Sequence, residues 1–394
     1  MYTDKTLIEI LRTSKAIRKE HATSSLSKSQ KESDIQKALK KIFSLASDYG
    51  FEEKLDDAVL HLVREVDGKL RLIKSMQSNP LDLPPGWTPI KNKDYDERFI
   101  DTIFVHPYLC INPLPNDFTL LETLSGIELF SHLELNHSRT ITLAGLGKCE
   151  TNEGNFLLLA ETHAPGKRFD RFLDENIENK QKINSAIEKV AVALAELHTK
   201  RVGKLKDWSN KEKIKKHIGE KYKYLSRKIP NISNTLKLDD LYRCLEEASK
   251  YPYLTGYTHG DLSLINFLYD EKTDLPIFID LETSSQSINR LGDPIGFPAE
   301  DFCYLSFHLE KKLHQYPIDE ESKRSFLDQF ENVYLSKTQQ DIHPMHHKWN
   351  TLSFSHSRLY QIIHLNGGSL PKEENIHFSS FSFLLRMIEK TLNY

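Results

Sequence analysis

Three polar residues lie close together in the second half of the chain and could act on a phosphoryl group. Asp261 and Asn266 lie within the stretch HGDLSLIN, and Asp280 follows in IFIDLE. Phosphoryl transfer needs a carboxylate directed at the acceptor hydroxyl, and it needs oxygen ligands that hold Mg²⁺ against the phosphates. Asp261 and Asn266 can lie at opposite ends of one loop, where one faces the acceptor and the other reaches a metal. Asp280 would then supply the carboxylate that bridges this metal to a nucleotide.

The elements around these residues change in character along the chain. Residues 1–55 are predicted to form a helical extension, because apolar residues recur there at helical spacing. Residues 56–163 are predicted to be rich in strands, with one amphipathic helix at 117–135. Residues 164–394 are predicted to be mainly helical, except for a hairpin at 257–282. This hairpin brings the three polar residues together.

Three local patterns are the most regular in the sequence. Asp67-Gly68 is flanked by apolar runs that favour strands, which predicts a hairpin within 58–76. The turn sequence TNEGN predicts a second hairpin, between RTITLAGLGKCE and FLLLAETH. The periodicity of KINSAIEKVAVALAELHTKR predicts a helix at 182–201.

Size and composition restrict the class of protein. The chain has 394 residues, and its 39% hydrophobic and 28% charged content is typical of a globular protein without a membrane partner. The N-terminal residues do not form the apolar core of a secretion signal, so a cytoplasmic location is expected. The four cysteines are far apart, which favours neither a zinc site nor a disulfide framework. A net charge of −3 does not indicate a nucleic-acid partner, and nothing in the sequence predicts an oligomeric state.

The stretch HGDLSLIN, followed by a strand, a turn and IDLE, resembles the aminoglycoside phosphotransferase and choline kinase superfamily. In these relatives of protein kinases the catalytic loop has the sequence HGDxxxxN, whereas in protein kinases it has the sequence HRDxxxxN. The segments LLLAETHAPGKRF, ALAELH and GDPIGFPAEDFCYL also resemble this superfamily, and they occur in the expected order. The resemblance implies an α+β, bilobal protein-kinase-like fold. It would have a strand-rich N-lobe and a mainly helical C-lobe, preceded by the helical extension.

The resemblance also implies a role for each residue of the loop. Asp261 would orient or deprotonate the acceptor hydroxyl, while Asn266 and Asp280 would ligate Mg²⁺. Asp301 is expected to be a buried cap that stabilises the catalytic loop, and a structural role is favoured for Glu282. The expected phosphoryl donor is ATP, with GTP left open. The expected acceptor is a hydroxyl of a small molecule, such as a sugar, an amino sugar or an amino alcohol.

The N-lobe residues are less clearly marked. Main-chain groups from Glu161 to His163 are expected to hold adenine, and Glu122 would be the helix glutamate that pairs with a phosphate-binding lysine. Cys110 stands about where this lysine is expected. Lys74 in LRLIKSM is the preferred replacement, Lys148 is the second candidate, and the third possibility is that the lysine is absent. A GxGxxG phosphate loop is also missing.

Two other functions are compatible with the same sequence. The chain could be a pseudokinase that binds nucleotide or acts as a scaffold, because the lysine is not in its expected place. It could also modify a protein hydroxyl, or transfer a nucleotide in place of a phosphoryl group. The basic segment 204–231 could bind an anion, but a solvent-exposed helix explains its pattern better.

Overall fold

The fold is described from a computed structural model. The structure describes residues 61–64, 70–73, 88–89, 103–111, 114–115, 119–141, 143–151, 154–162, 166–208, 211–229, 232–288, 293–338, 342–371 and 378–393. The expected extension at 1–55, Lys74 and His163 lie outside these residues.

The described residues form small sheets and longer helices. The strands are β1 (His61–Arg64), β2 (Leu70–Ile73), β3 (Thr88–Pro89), β4 (Ile103–Ile111), β5 (Leu114–Pro115), β6 (Arg139–Thr140), β7 (Leu143–Thr151), β8 (Gly154–Thr162), β9 (Lys167–Arg168), β10 (Leu205–Lys206), β11 (Tyr253–Leu254), β12 (Phe267–Asp270) and β13 (Leu275–Phe278). The helices are α1 (Thr119–Leu133), α2 (Phe169–Asn176), α3 (Lys180–Thr199), α4 (Lys211–Lys228), α5 (Ile232–Thr235), α6 (Leu238–Ala248), α7 (Pro298–Leu313), α8 (Glu320–Thr338), α9 (Pro344–Leu365) and α10 (Phe378–Asn393). The fold is therefore mixed α and β, and mostly helical.

The chain divides into two compact units. The first unit contains residues 1–166 and 277–293, and the second contains residues 167–276 and 294–394. The end of the predicted hairpin therefore belongs to the first unit, while its catalytic-loop half belongs to the second. Within the described part of the chain, no helix combines the length and the apolar character needed to cross a membrane.

The larger sheet of the first unit has the strand order β5-β4-β8-β7. Strands β7 and β8 pair antiparallel through the predicted TNEGN turn, with Thr151 opposite Gly154. Strands β1 and β2 also pair antiparallel, with His61 opposite Ile73, which confirms the hairpin predicted within 58–76. Both hairpins follow from apolar runs that flank turn-forming residues.

Helix α1 packs closely against the segment that follows β13. A Cβ atom on Gly126 would lie 1.8 Å from the carbonyl oxygen of Leu281, so only glycine permits this approach. Phe130 contacts Phe278, with ring centroids 5.3 Å apart. Strand β13 also pairs in parallel with β6. The position of the chain around Leu281 is therefore set by α1 and β6.

Replacing Gly126 with alanine is expected to destabilise the first unit. Alanine favours the helix by about 1 kcal/mol relative to glycine. However, its Cβ atom would clash with the Leu281 backbone and force α1 and this segment apart, and overpacking of this kind costs about 1–3 kcal/mol or more. We expect a net loss in the free energy of unfolding, measured by urea denaturation. The matched control is Gly219→Ala in α4, where the added Cβ meets only the end of the Tyr242 side chain. Equal stability of the two variants would contradict the prediction.

The second unit is built around α3, which is buried along most of its length. The Asn179 side chain accepts a hydrogen bond from the Lys182 backbone nitrogen at 3.1 Å, so the helix begins at Lys180. The sequence predicted this helix within two residues at each end, at 182–201, against an observed Lys180–Thr199. Helix α8 packs along α3, and its Tyr334 also stacks on Phe302 of α7, with ring centroids 4.5 Å apart.

A second hydrophobic cluster fills the space between α4, α6, α9 and α10. His356 of α9 is fully buried there and stacks on Tyr222, with ring centroids 6.4 Å apart. Burial, assisted by the positive charges of Lys221 and His217, lowers the pKa of His356 to about 4. His356 is therefore a neutral packing residue.

The lowered pKa of His356 predicts that stability falls in mild acid. The unfolded chain binds a proton near the ordinary pKa of about 6.5, whereas the folded chain does not until about pH 4. Stability is thus complete above pH 6.5 and is lost as the pH falls towards 4, by up to about 3 kcal/mol. In a urea series, His356→Phe should reduce this pH dependence. Part of it should persist, because burial also lowers the pKa of His308 and His346. An unchanged pH dependence would contradict the assignment.

Candidate active site

The HGDLSLIN loop of the second unit is anchored at its start by two glycines. Gly256 and Gly296 exchange backbone hydrogen bonds of 3.2 and 3.1 Å. A Cβ atom on Gly256 would lie 2.8 Å from the carbonyl oxygen of His198, at the end of α3. The approach to the loop is therefore fixed by close backbone packing against α3 and against the segment before α7.

A single buried carboxylate holds the first residues of the loop. Asp301, in the first turn of α7, accepts hydrogen bonds from the backbone nitrogens of His259 at 2.6 Å and Gly260 at 2.9 Å. Asp301 is fully buried, and a buried carboxylate is tolerated where charge-assisted hydrogen bonds of this kind satisfy it. Gly260 has a φ of 86°, which favours glycine at the turn. This is the loop-capping role that the sequence predicted for Asp301.

A second layer supports this carboxylate. His198 of α3 lies with its Nε2 atom 3.3 Å from the Oδ2 atom of Asp301, and with its Nδ1 atom 2.7 Å from the Tyr334 hydroxyl. All three side chains are buried. The loop is therefore connected through Asp301 to the packed contact between α3 and α8. Tyr334 carries no motif in the sequence, and this contact was not predicted.

Asn266 ties the far end of the loop back to Asp261. Its Nδ2 atom donates to the backbone oxygen of Asp261 at 2.7 Å, and its own backbone nitrogen donates to Ser263 at 3.1 Å. Asn266 is buried, whereas the side chain of Asp261 is 53% exposed. The loop thus fixes the backbone of Asp261 and leaves its carboxylate accessible to a ligand.

Asp280 lies in the first unit and differs from its expected position. The sequence placed it on the return strand, but β13 ends at Phe278 and Asp280 has a φ of 59°. This left-handed conformation is uncommon outside glycine, and aspartate is one of the residues that adopt it most readily. Glu282 likewise does not continue a strand, because it begins a 3₁₀ helix at Glu282–Ser287. The next residue after Asp280, Leu281, lies against Gly126 of α1.

The predicted N-lobe residues are placed only in part. Glu122 is half-buried in the first turn of α1. Glu161 lies in β8, opposite Phe104 of β4. Cys110 lies in β4 and Lys148 in β7, which are the strands that the sequence indicated. The choice between the lysine candidates stays a prediction.

The donor atoms at Asn266 are suited to a hard cation. Its Nδ2 atom donates a hydrogen bond to the Asp261 carbonyl. Among the described residues, its Oδ1 atom has no partner and can therefore act as a metal ligand. Amide and carboxylate oxygens are the ligands that Mg²⁺ prefers, and in nucleotide sites one or two protein ligands act together with phosphates. No cluster of three or more His, Cys, Asp or Glu side chains that could hold a metal occurs in the described ranges. A magnesium site of the nucleotide type does not require such a cluster.

Arg358 of α9 is a site residue that the sequence did not reveal. One of its guanidinium nitrogens lies 3.9 Å from the Oδ1 atom of Asp261. Arg358 is distant in sequence from the loop and belongs to no recognisable motif. Only the packing of α9 brings it to the exposed carboxylate.

Comparison with known proteins supports the fold. No protein-family model matches the chain. No curated protein matches it either. Among solved structures, a glucosamine kinase in complex with glucosamine, ADP and inorganic phosphate aligns with a TM-score of 0.50 at 9% identity, covering 74% of this chain and 72% of that one.

Two further solved structures align less closely. The GDP complex of aminoglycoside 2'-phosphotransferase-IIIa has a TM-score of 0.45 at 14% identity, covering 86% of this chain and 95% of that one. A choline kinase from Streptococcus pneumoniae has a TM-score of 0.44 at 11% identity, covering 87% and 98%. The alignment with the glucosamine kinase supports a mixed α and β fold that is mostly helical. The resemblance that the sequence indicates is confirmed at the level of the fold.

Proposed function

We propose that this chain is a small-molecule kinase with a bilobal, protein-kinase-like architecture. It would transfer the γ-phosphoryl group of ATP, or of GTP, to a hydroxyl of a small molecule. The observation that carries this proposal is the fixed HGDLSLIN loop, in which Asp301 and Asn266 hold the backbone while the carboxylate of Asp261 stays exposed. A scaffold protein has no chemical need for a carboxylate presented in this way.

Each loop residue has a defined task in the proposed reaction. Asp261 accepts a hydrogen bond from the acceptor hydroxyl, orients its oxygen and takes up its proton as the new bond to phosphorus forms. Asn266 keeps the backbone of Asp261 in place and offers its side-chain oxygen to Mg²⁺. Asp280 is the second proposed ligand. When bound, Mg²⁺ would neutralise charge on the phosphates.

The nucleotide contacts in this proposal come from the first unit. Main-chain groups at Glu161–His163 would bind adenine. Lys74 is the preferred phosphate-binding lysine and would pair with Glu122, while Lys148 is the alternative. These assignments rest on the sequence resemblance.

The proposed activity is tested by ADP release in a screen of hydroxyl-bearing metabolites. Purified protein is incubated with ATP, Mg²⁺ and one metabolite at a time, with the Asp261→Asn variant as the blank. We expect at least one metabolite to stimulate ADP release by the native protein alone, with a matching gain of one phosphate in the metabolite by mass spectrometry. Release that is equal in both proteins, or phosphate found on the protein itself, would overturn the proposal.

Replacing Asp280 with asparagine is expected to weaken binding of the nucleotide with Mg²⁺. Asparagine also tolerates a positive φ, so the backbone at this position is preserved while the negative charge is lost. By calorimetry, the Kd for ATP in the presence of Mg²⁺ should rise about 10-fold or more. Even the loss of a side chain that only hydrogen-bonds to a metal ligand lowers metal affinity by about this factor. Binding without Mg²⁺ should not change. Glu282→Gln is the matched control, and an equal effect in both variants would remove Asp280 from the metal site.

A further inference from the structure

The proposed catalytic roles leave two neighbouring positive charges unused, and one of them lies beside Asp261. Arg358 of α9 approaches the Asp261 carboxylate at 3.9 Å, which is too long for a direct hydrogen bond. Lys311 of α7 is the second, and the two charges are close enough to affect each other. Both residues belong to the second unit, as does Asp261.

Arg358 is held in a defined orientation. Its guanidinium lies over the ring of Phe354, 5.2 Å from the ring centroid, and one nitrogen donates to the Gln361 side-chain oxygen at 2.9 Å. The side chain is 38% exposed, so the remaining nitrogens can meet a ligand. Arginine in a fixed orientation is suited to carboxylate and phosphate groups, because its planar fork can donate two parallel hydrogen bonds.

Lys311 lacks the carboxylate partner that its neighbour has. Lys312 pairs with Asp174 at 2.6 Å, whereas the described residues offer Lys311 no ion pair or hydrogen bond. Burial, and then the nearby charge of Arg358, lower the pKa of Lys311. A partly buried cation next to a second cation is unfavourable, and a bound anion would relieve this repulsion.

The other polar groups on this face of α7 are neutral or already paired. Tyr304, His308 and Lys311 follow helical spacing and lie on one face of the helix. The Tyr304 hydroxyl donates to the Glu300 carboxylate at 3.0 Å. Burial, with the charges of Arg358 and Lys311, lowers the pKa of His308 to about 3, so the ring is neutral near pH 7. Neither Tyr304 nor His308 therefore adds a charge near Arg358 and Lys311, and the carboxylate that approaches Arg358 is that of Asp261 itself.

We propose that the acceptor carries an anionic group, a carboxylate or a phosphate, and that Arg358 and Lys311 bind this group while Asp261 receives the hydroxyl. This inference rests on the proposed kinase function and specifies its substrate class. Arg358 then acts as a specificity residue, because its distance from Asp261 places the anion next to the reacting hydroxyl. An acceptor with a cationic group in the same position would meet like charges and be disfavoured.

The test uses two sets of acceptors, and the members of each set share a carbon skeleton but differ in charge. Glucose, glucosamine, glucuronate and glucose 6-phosphate are titrated into the full-length protein by calorimetry, together with the smaller set glycerol, serinol, glycerate and glycerol 3-phosphate. We expect an acidic member to bind more tightly than its neutral and cationic counterparts. The carboxylate and phosphate members separate the two possible anions. Binding needs no turnover, so this result is independent of catalysis.

Two variants locate the anion site. Replacing Arg358 with glutamine and Lys311 with methionine together should weaken binding of the preferred acid about 10-fold or more, the loss expected for hydrogen bonds to a charged group. Binding of the neutral counterpart should not change. Arg358→Lys should retain part of the preference, since it keeps the charge but loses the planar fork. Arg324→Gln, at a guanidinium that is 85% exposed on α8, is the control.

The outcomes separate this inference from the proposed function. Tighter binding of an acid without any ADP release would support the anion site and count against the kinase. ADP release with glucose, glucosamine, glycerol or serinol and none with the acids would support the kinase and overturn the anion site. Failure of every acid to bind, or a preference that survives the double replacement in a folded variant, would also overturn it.

Discussion

The Asp261→Asn variant is expected to lose about 10²–10⁴-fold in turnover, the contribution typical of a positioned acid or base. Asparagine has nearly the same shape as aspartate, but it cannot take up a proton from the acceptor hydroxyl. The backbone carbonyl that Asn266 holds is still present in the variant, so the loop should keep its conformation. Nucleotide affinity, measured by calorimetry, should therefore stay unchanged while kcat falls.

The control for this prediction is Asp328→Asn, which removes another exposed carboxylate of the second unit, on α8. Its turnover should match that of the native protein. If the Asp261 variant also retained full turnover with the acceptor found in the screen, Asp261 would not be the group that meets the hydroxyl. Loss of nucleotide binding in this variant would instead indicate a collapsed loop.

The Asp301→Asn variant is expected to show the largest loss of stability. The carboxylate accepts from two backbone nitrogens and lies against His198, all in a fully buried setting. An amide has one acceptor oxygen in place of two, and its NH₂ group would face a backbone N–H. Hydrogen bonds to a charged group contribute about 1.5–3 kcal/mol, and an unsatisfied buried donor costs about 1–3 kcal/mol. We expect the free energy of unfolding in urea to fall by about 3–5 kcal/mol.

Turnover should fall with stability in this variant, because the backbone of His259 and Gly260 loses its anchor. Asp319→Asn is the matched control, since Asp319 also accepts from a backbone nitrogen, that of Ser322 at 2.7 Å. The side chain of Asp319 is 59% exposed, so its replacement should cost much less than that of Asp301, as expected for an exposed helix cap. Equal losses in the two variants would mean that burial does not strengthen the Asp301 contacts.

The parts of the site that the sequence predicted are those encoded by local patterns. The loop that contains Asp261 and Asn266 closes on itself within a few residues, so spacing alone indicates it. The helix at 180–199 follows from its periodicity, and its first residue differs from the prediction because the Asn179 side chain caps the helix, so that it begins two residues before the periodic stretch. Asp301 was predicted because its segment resembles a known pattern.

The parts that the sequence did not predict depend on packing between distant segments. The positive φ of Asp280 arises where Leu281 meets α1, and neither residue reveals this contact in the sequence. Arg358 reaches the loop, and Tyr334 reaches His198 behind Asp301, only because α9 and α8 pack within the second unit. The sequence did not fix the phosphate-binding lysine, because Cys110 stands at its expected position and both Lys74 and Lys148 lie away from that position.

The hydrogen bonds that Asp301 makes to His259 and Gly260 also determine when the site can form. During synthesis the loop leaves the ribosome well before Asp301, and Tyr334 follows later still. Until α7 docks, the two backbone nitrogens have no carboxylate to bind, and until α8 packs on α3, His198 has no hydroxyl partner. Contacts between segments so far apart form late in folding, because the chain entropy of closing long loops must be overcome first. A nascent chain that ends before α7 would therefore contain the whole HGDLSLIN motif and still lack the carboxylate that holds its backbone.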